Sequence, residues 1–205
     1  MDSYFPMTQL HTASDLTQVI IDVVKCHRAL HEGPKILHRD ISMNNIMFCR
    51  GKENRVIGVL IDFDLAVEVD PQYRSLHLDR RFRTGTLPFM AIDLLDETDK
   101  IHWVRHDLES NPLGIETTMA FQVWRKSNMP TLAEKKVYFL SKSRMYEPTA
   151  LFGSVAVWVR LLLRLFRHAR DAREDTEDET SETLDPETLG GCITYETFLH
   201  SLGEE

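Results

Sequence analysis

The stretch from Leu37 to Asp64 constrains this chain more than any other part of its sequence. Asp40 is followed five residues later by Asn45, and a second carboxylate, Asp62, stands at the end of an apolar run. Phosphoryl transfer needs this set of groups, because one carboxylate orients the attacking hydroxyl while an amide and a second carboxylate hold the magnesium on the nucleotide phosphates. Asp40, Asn45 and Asp62 therefore form the candidate site.

Four segments, in the right order, resemble protein kinases. The sequence from His38 to Asn45 resembles the catalytic loop, and the run that ends at Asp62 resembles the metal-binding loop. The segment from Gly85 to Asp93 is similar to the end of an activation segment, and His106 to Ser110 follows it. The run Arg-Thr-Gly-Thr before Pro-Phe-Met-Ala is most similar to the fungal-type protein kinase family. This resemblance implies ATP-dependent phosphoryl transfer to protein hydroxyls by a serine/threonine-type kinase that uses ATP and Mg.

The resemblance also implies roles for individual residues of the candidate site. Asp40 would accept or orient the proton of the attacking hydroxyl. Arg39 would form an ion pair with a phosphate or an acidic group on the activation segment. Asn45 and Asp62 would bind the metal, and Met47 would lie beneath the adenine ring. These assignments make Asp40 and Arg39 candidate catalytic residues, together with Thr86 of the activation segment.

The activation segment would run from residue 62 to residue 93, and it departs from the family pattern at its beginning and end. Thr86 would face the catalytic Asp, and Asp93 replaces the usual Glu, whose buried ion pair it could still make with a shorter reach. Asp64 stands where a Gly usually allows positive φ, so we expect strain and a less mobile start there. In the catalytic loop, Ser42 replaces a Lys that neutralises the transferred phosphate, which should slow transfer.

The largest departure is the absence of a nucleotide-binding lobe. That lobe supplies a Gly-rich loop, a strand Lys and a helix Glu, yet the first glycine of the chain is Gly33 and the residues before it form a predicted helix. We therefore expect residues 1–170 to be the C-terminal lobe of a protein-kinase-like fold, with the N-terminal lobe missing through truncation, a gene-model error or real loss. Although the family would be catalytic, this chain alone should then have little activity.

Hydrophobic periodicity predicts a mainly α fold with one small β-hairpin. A helix capped by Ser14 would present one apolar face and stop at Gly33. Short β-rich runs at 46–48 and 56–61 predict the hairpin, which would bring Asn45 and Asp62 to the same end. Further helices are predicted over 131–142 and from Thr149 to about Arg173.

Two regions beyond the activation segment should depart from regular structure. Pro112 and Gly114 oppose the long helix that kinases form after Asp107, so we expect the helix there to be short, broken or displaced. Residues 171–190 form an acidic run with almost nothing to bury, which predicts a flexible linker or a frayed helix end. The final segment, 191–205, contains Ile193 to Leu199, which could form a short amphipathic turn that docks back.

Composition limits the choice of partners and location. The net charge of −8 gives no general attraction for nucleic acid or an anionic membrane, and no apolar run reaches the length of a membrane span. Three distant cysteines and no secretory leader favour an intracellular protein, cytoplasmic or nuclear. The expected partners are a protein substrate or another protein.

Alternatives to a protein kinase remain open at this point. The chain could be a noncatalytic kinase remnant that binds a partner or regulates a relative, and kinases of small molecules share the same fold. His102 and His106 have a spacing that could hold zinc on a helix, but no third ligand is evident, so structural histidines are favoured.

Overall fold

The computed structural model describes residues 3–69, 84–96, 101–110, 124–141, 150–179 and 184–204. Over these residues the protein is mainly helical with small antiparallel sheets, which confirms the predicted secondary-structure class. Residues 70–83 of the expected activation segment lie outside the described residues. The same is true of 111–123, so the predicted interruption of the helix after Asp107 stays a prediction.

Helix α1 (Ala13–Glu32) is the central element of the fold. Its N-cap is Thr12, whose hydroxyl accepts the amide of Asp15 at 3.0 Å, so the predicted cap at Ser14 was wrong by two positions. Thr12 takes the cap because its backbone is extended, whereas Ser14 is already helical. The helix ends at Gly33 as predicted, with the Gly33 amide bonded to the carbonyl of Ala29.

The predicted hairpin is confirmed as strands β3 (Ile46–Arg50) and β4 (Val56–Leu60), which follow the short strands β1 (Phe5–Pro6) and β2 (Ile36–Leu37). β1 pairs with β3 to make a three-stranded sheet, and β2 pairs with β5 (Val67–Glu68). Both sheets lie beside the loop that carries Asp40, because β2 enters that loop and β3 leaves it.

A glycine brings the hairpin against α1. A Cβ built on Gly58 would lie 2.4 Å from the carbonyl oxygen of Val19, closer than any side chain tolerates. The Gly58 amide also donates to the carboxylate of Asp22 at 2.9 Å. The close approach of strand and helix therefore requires a residue without a side chain at position 58.

The remaining helices are α2 (Ile92–Asp96), α3 (Val104–Ser110), α4 (Met129–Ser141), α5 (Ala156–Glu179) and α6 (Tyr195–Ser201). A 3₁₀ helix, Ala150–Val155, precedes α5. Within the described residues, no helix has both the length and the hydropathy of a membrane span.

Helix α5 continues beyond its predicted end near Arg173 and takes up the first part of the expected linker at 171–190. Local contacts explain the extension: Arg170 pairs with Glu174 four residues on at 2.9 Å, and the Thr176 hydroxyl donates to the carbonyl of Ala172. The acidic composition of this stretch therefore did not prevent helix formation up to Glu179.

The C-terminal segment docks on the body of the protein, as predicted. Thr194 caps α6 in a reciprocal arrangement with Thr197, and Phe198 is fully buried. Phe198 joins the main core, which also includes buried residues of α1, the hairpin and α5. A second, smaller core lies between α2 and α4.

Candidate functional site

The loop between β2 and β3 begins with two buried residues, His38 and Arg39. The His38 ring bonds to the carbonyl of Ile61 at 3.0 Å and stacks edge-on against Phe63. Arg39 has a φ of 70°, a left-handed conformation that costs energy for a residue with a Cβ. Contacts made by the backbone must therefore hold this part of the loop in place.

The carboxylate of Asp107 in α3 supplies those contacts. It accepts the backbone amides of His38 at 3.0 Å and Arg39 at 3.1 Å. It also accepts the Nε2 of His27 at 2.9 Å and the Nε2 of His102 at 2.8 Å. Asp107 thus connects α1 and α3 to the loop that carries Asp40.

Asp107 is fully buried, and it remains ionised for a physical reason. Burial alone would raise the pKa of its carboxyl, but the charge of His102 and the hydrogen bonds of His102 and His27 outweigh burial and hold the pKa well below its usual value. The carboxylate can then accept every donor that faces it.

His102 and His106 have structural partners in this protein. The Nε2 of His102 is bonded to Asp107, and the Nδ1 of His106 accepts the backbone amide of Trp103 at 3.0 Å. Within the described ranges, no group of three or more metal-ligating side chains could hold a metal ion.

Asp40 has donors on both carboxylate oxygens. Thr86 donates its amide and its hydroxyl to Oδ1 at 2.7 and 2.9 Å, while Asn45 Nδ2 donates to Oδ2 at 2.9 Å. Gly85 makes the approach of Thr86 possible, since its φ is 117° and an added Cβ would lie 3.1 Å from the carbonyl of Arg39. The structure therefore brings Asp40, Asn45 and Thr86 together, as the sequence predicted.

Asn45 and Asp62 lie at the same end of the hairpin. Ile46 pairs with Leu60, and the Ile61 amide donates to the carbonyl of Asn45 at 2.9 Å, which places Asp62 one residue beyond that bond. Asn45 is buried and Asp62 is exposed. The two candidate metal ligands thus lie at the same end of the hairpin.

The backbone strain expected at Asp64 falls on Asp62 instead. Asp62 has a φ of 63°, and Asp64 is not among the residues with positive φ. The turn after Asp62 explains this, because Phe63 packs against His38 and its carbonyl accepts the amide of Ala66 at 3.0 Å. Asp62 thus carries the left-handed conformation directly before this turn.

Met47 and Ser42 complete the set of residues singled out in the sequence. Met47 is half-buried in β3 and pairs with Pro6. It lines a groove with Thr86, Met43 and residues of the 3₁₀ helix Leu87–Phe89. Ser42 is fully buried, and its hydroxyl has no hydrogen-bond partner in the described part of the chain.

Asp93 makes the buried ion pair expected at that position, with two arginines. Arg105 of α3 lies 2.7 Å from its Oδ2 and Arg173 of α5 lies 2.8 Å from the same atom. The shorter side chain of Asp is sufficient because both guanidinium groups reach it. The end of the expected activation segment is in this way tied to two helices.

The sequence did not predict that His27, Tyr195 and the carboxylate of Asp107 support the loop, and it indicated only a structural role for His102. His27 lies on the buried face of α1, and a polar residue in such a position was the available signal. Buried polar groups need partners, so a histidine on that face predicts a buried acceptor elsewhere in the chain.

Comparison with known protein families decides the assignment. The model of the fungal protein kinase family matches residues 2–111, which is more than half of the chain. The chain belongs to the fungal protein kinase family. The family match includes Asp40, Asn45, Asp62, Thr86 and Asp107, and it ends close to the point where the sequence resemblance weakens. No curated protein matches the chain.

Proposed function

We propose that this member of the fungal protein kinase family transfers a phosphoryl group from ATP to a protein hydroxyl, with a serine or threonine as acceptor. The single observation that carries the proposal is the environment of Asp40, whose carboxylate is fixed by Thr86 and Asn45. The mainly helical body with its β-hairpin corresponds, in this proposal, to the C-terminal lobe of a kinase-like fold.

The charge and geometry of Asp40 suit a group that receives a proton. A carboxylate has about four lone-pair positions. Thr86 occupies the two on Oδ1 with its amide and hydroxyl, and Asn45 occupies one of the two on Oδ2. The remaining position on Oδ2 could accept the proton of an incoming hydroxyl as its oxygen attacks the γ-phosphorus and ADP departs. Thr86 and Asn45 would keep the carboxylate from rotating during this step.

Asn45 and Asp62 have the donor atoms that magnesium prefers. Within the described part of the chain, Asn45 makes side-chain hydrogen bonds through Nδ2 only, so its amide oxygen is available to a metal. Asp62 adds an exposed carboxylate, and it directly follows Ile61, whose amide donates to the carbonyl of Asn45. Hard oxygen ligands of this kind fit Mg²⁺, which keeps its remaining ligands as water and phosphate. When bound, the ion would neutralise charge on the nucleotide phosphates.

Arg39 and Met47 would have supporting roles. Arg39 is buried directly before Asp40, where its cation could hold a phosphate or an acidic group of the activation segment. Met47 faces a groove beside Thr86, where a thioether could contact the adenine ring.

A second candidate function is a noncatalytic module that binds or regulates a protein partner. Ser42 favours it, because a buried hydroxyl replaces the cation that would neutralise the transferred phosphate. Phe63 and Leu65 also favour it, since both apolar side chains are about 40% exposed directly after Asp62. A partner could cover these side chains without any reaction.

Calorimetry with ATP and magnesium on the full chain separates the two candidates. We expect binding by the native chain and by Asp64→Asn, whose exposed carboxylate lies two residues from the metal site, and loss of binding in Asp62→Asn. Asp40→Asn should retain binding but lower transfer to a protein substrate by at least about 100-fold, since a positioned base contributes that much. A folded native chain that binds no nucleotide would favour the noncatalytic module.

A further inference from the structure

His27 is bonded through both of its ring nitrogens to buried side chains. Its Nε2 lies 2.9 Å from Oδ2 of Asp107, and its Nδ1 lies 2.8 Å from the hydroxyl of Tyr195 in α6. The exposed fractions of His27, Asp107 and Tyr195 are 1%, 0% and 6%. A line of buried hydrogen bonds thus runs from the C-terminal helix to the centre of the protein.

The direction of each bond follows from the chemistry of its ends. Asp107 is an acceptor, so Nε2 of His27 carries the proton between them. In the tautomer that carries this proton, the lone pair of the ring lies at Nδ1, where the hydroxyl of Tyr195 can donate. Burial, together with the charge of Asp107, raises the pKa of Tyr195, so the phenol retains the proton that it donates. Tyr195 therefore fixes both the tautomer and the orientation of the His27 ring.

The line continues from Asp107 into the loop of the candidate site. The same oxygen that accepts His27 also accepts the amide of His38 at 3.0 Å and that of Arg39 at 3.1 Å. Arg39 has positive φ and is joined directly to Asp40. Any rotation of the Asp107 carboxylate would therefore alter the backbone that positions Asp40.

Surface ion pairs hold the C-terminal segment in the place where Tyr195 reaches His27. Arg28 of α1 pairs with Glu196 at 2.5 Å, and Lys25 pairs with Glu204 at 2.5 Å. Arg28 also lies over the ring of Tyr195, with its Cζ 5.8 Å from the ring centroid, so its pair with Glu196 is not independent of the phenol. The exposed Lys25–Glu204 pair joins α1 to the residues that follow α6 and is separate from the three side chains of the buried line. This pair provides the control that separates docking of the C-terminal segment from the action of the phenol.

We propose that Tyr195 is a positioning residue for the loop that carries Asp40, acting through His27 and Asp107. Docking of α6 on α1 places the phenol on the His27 ring, and the ring then orients the carboxylate that holds the amides of His38 and Arg39. The proposal rests on the proposed function only in giving this loop a catalytic role. The C-terminal helix is accordingly part of the machinery that orders the loop.

The test compares the native chain with Tyr195→Phe, which removes one hydroxyl and keeps the ring. NMR of the ¹⁵N-labelled full chain should show the His27 ring as the Nε2-protonated tautomer in the native protein and a mixture or a different state in the variant. Amide exchange at His38 and Arg39 should become roughly three- to tenfold faster, the loss that one buried hydrogen bond accounts for.

Exchange of amides in β3 and β4 should stay unchanged in Tyr195→Phe. If Tyr195 had only a structural role, its loss would destabilise the whole protein, and exchange would become faster throughout the core. Glu204→Gln is the matched control, because it weakens an exposed ion pair between α1 and the C-terminal segment and should leave both readouts unchanged. A uniform rise in exchange, an imidazolium signature for native His27, or an effect of Glu204→Gln equal to that of Tyr195→Phe would overturn the proposal.

A second variant, His27→Gln, tests whether the effect of Tyr195 passes through the His27 ring, and by itself it should loosen His38 and Arg39 selectively even if Tyr195→Phe does not fold. In His27→Gln the side-chain amide can still donate to Asp107, but the ring that transmits the effect of Tyr195 is gone. Tyr195→Phe should then add nothing to exchange at His38 and Arg39 in the His27→Gln background. Additive effects of the two substitutions would show that the phenol acts by another route.

Phosphoryl transfer is measured on the same samples. We expect Tyr195→Phe to lower kcat about fivefold with little change in KM for ATP, because loop order and not nucleotide contact is altered. If the native chain transfers no phosphate but Tyr195→Phe still accelerates exchange selectively at His38 and Arg39, the proposed function is refuted and the positioning role stands. Activity with no selective loosening would refute the positioning role alone.

Discussion

Thr86 donates both its backbone amide and its hydroxyl to one carboxylate oxygen of Asp40, at 2.7 and 2.9 Å. The two residues are far apart in the chain, so this contact connects the loop after β2 to the end of the expected activation segment. The preceding Gly85, with its positive φ, lets the backbone of Thr86 come close enough. The amide bond depends only on this backbone path, whereas the hydroxyl bond depends on the side chain.

Thr86→Val should remove the hydroxyl bond and keep the amide bond. We expect the free energy of unfolding to fall by about 1 kcal/mol, which is the usual net contribution of one hydrogen bond. The loss would be larger if the Asp40 carboxylate also became disordered. Thr86→Ser should restore the native value to within about 0.5 kcal/mol. Urea unfolding of the three proteins checks this prediction, and a Val variant as stable as the native chain would contradict it.

The hairpin and the candidate site could be predicted from the sequence for the same physical reason. Local turn signals specified the β3 and β4 pairing, and that pairing fixes which end of each strand Asn45 and Asp62 occupy. Asp40 and Asn45 are only five residues apart in one loop. The side-chain amide of Asn45 donates back to the carbonyl of Asp40 at 2.9 Å, which fixes their relative position. Contacts of short sequence separation are the ones that a motif can encode.

The support of the loop could not be predicted in this way. The bond between His27 and Tyr195 joins residues separated by 168 positions, and nothing local to either residue indicates the other. The length of α5 within the acidic run could not be predicted either, because composition alone does not reveal the pairing of Arg170 with Glu174. Long-range partners and the helical register of charged residues both require the fold.

Asp107→Asn should be strongly destabilising although it changes one atom. The native carboxylate faces only donors, from His27, His102 and the amides of His38 and Arg39. The amide nitrogen of Asn would face some of these donors with hydrogen atoms of its own, and His102 would lose its counter-charge. We expect a loss of at least about 3 kcal/mol, typical of a broken buried ion pair.

The control for that experiment is Asp64→Asn, the same change at an exposed carboxylate, which should alter the free energy of unfolding by less than about 0.5 kcal/mol. Urea unfolding followed by circular dichroism measures both variants. If Asp107→Asn cost no more than the control, Asp107 could not be the acceptor that holds the strained backbone of Arg39.

Gly58→Ala tests the close packing of β4 on α1. The added methyl group would lie 2.4 Å from the carbonyl oxygen and 3.0 Å from the Cα of Val19, and backbone atoms of a buried helix cannot move aside easily. We expect a loss of at least about 2 kcal/mol from overpacking. Gly153→Ala is the matched control, since a Cβ there would meet nothing within 4 Å, and it should cost nothing measurable. Equal thermal midpoints for the two variants would disprove the close approach.

Lys136 gives the protein an unusual dependence of stability on alkaline pH. Burial lowers the pKa of this amine to about 8, and its Nζ donates to the carbonyl of Met90 at 2.5 Å. The unfolded state, with the ordinary pKa of 10.5, binds more protons than the folded state between these two values, so the free energy of unfolding should rise with pH in that window. The rise should amount to about 2 kcal/mol between about pH 8 and pH 10.

The variant Lys136→Met lacks the titrating group. Urea unfolding across this pH range should therefore show that its free energy of unfolding rises less with pH than that of the native chain, by that amount. Parallel curves for the native chain and the variant would mean that Lys136 keeps an ordinary pKa in the folded protein.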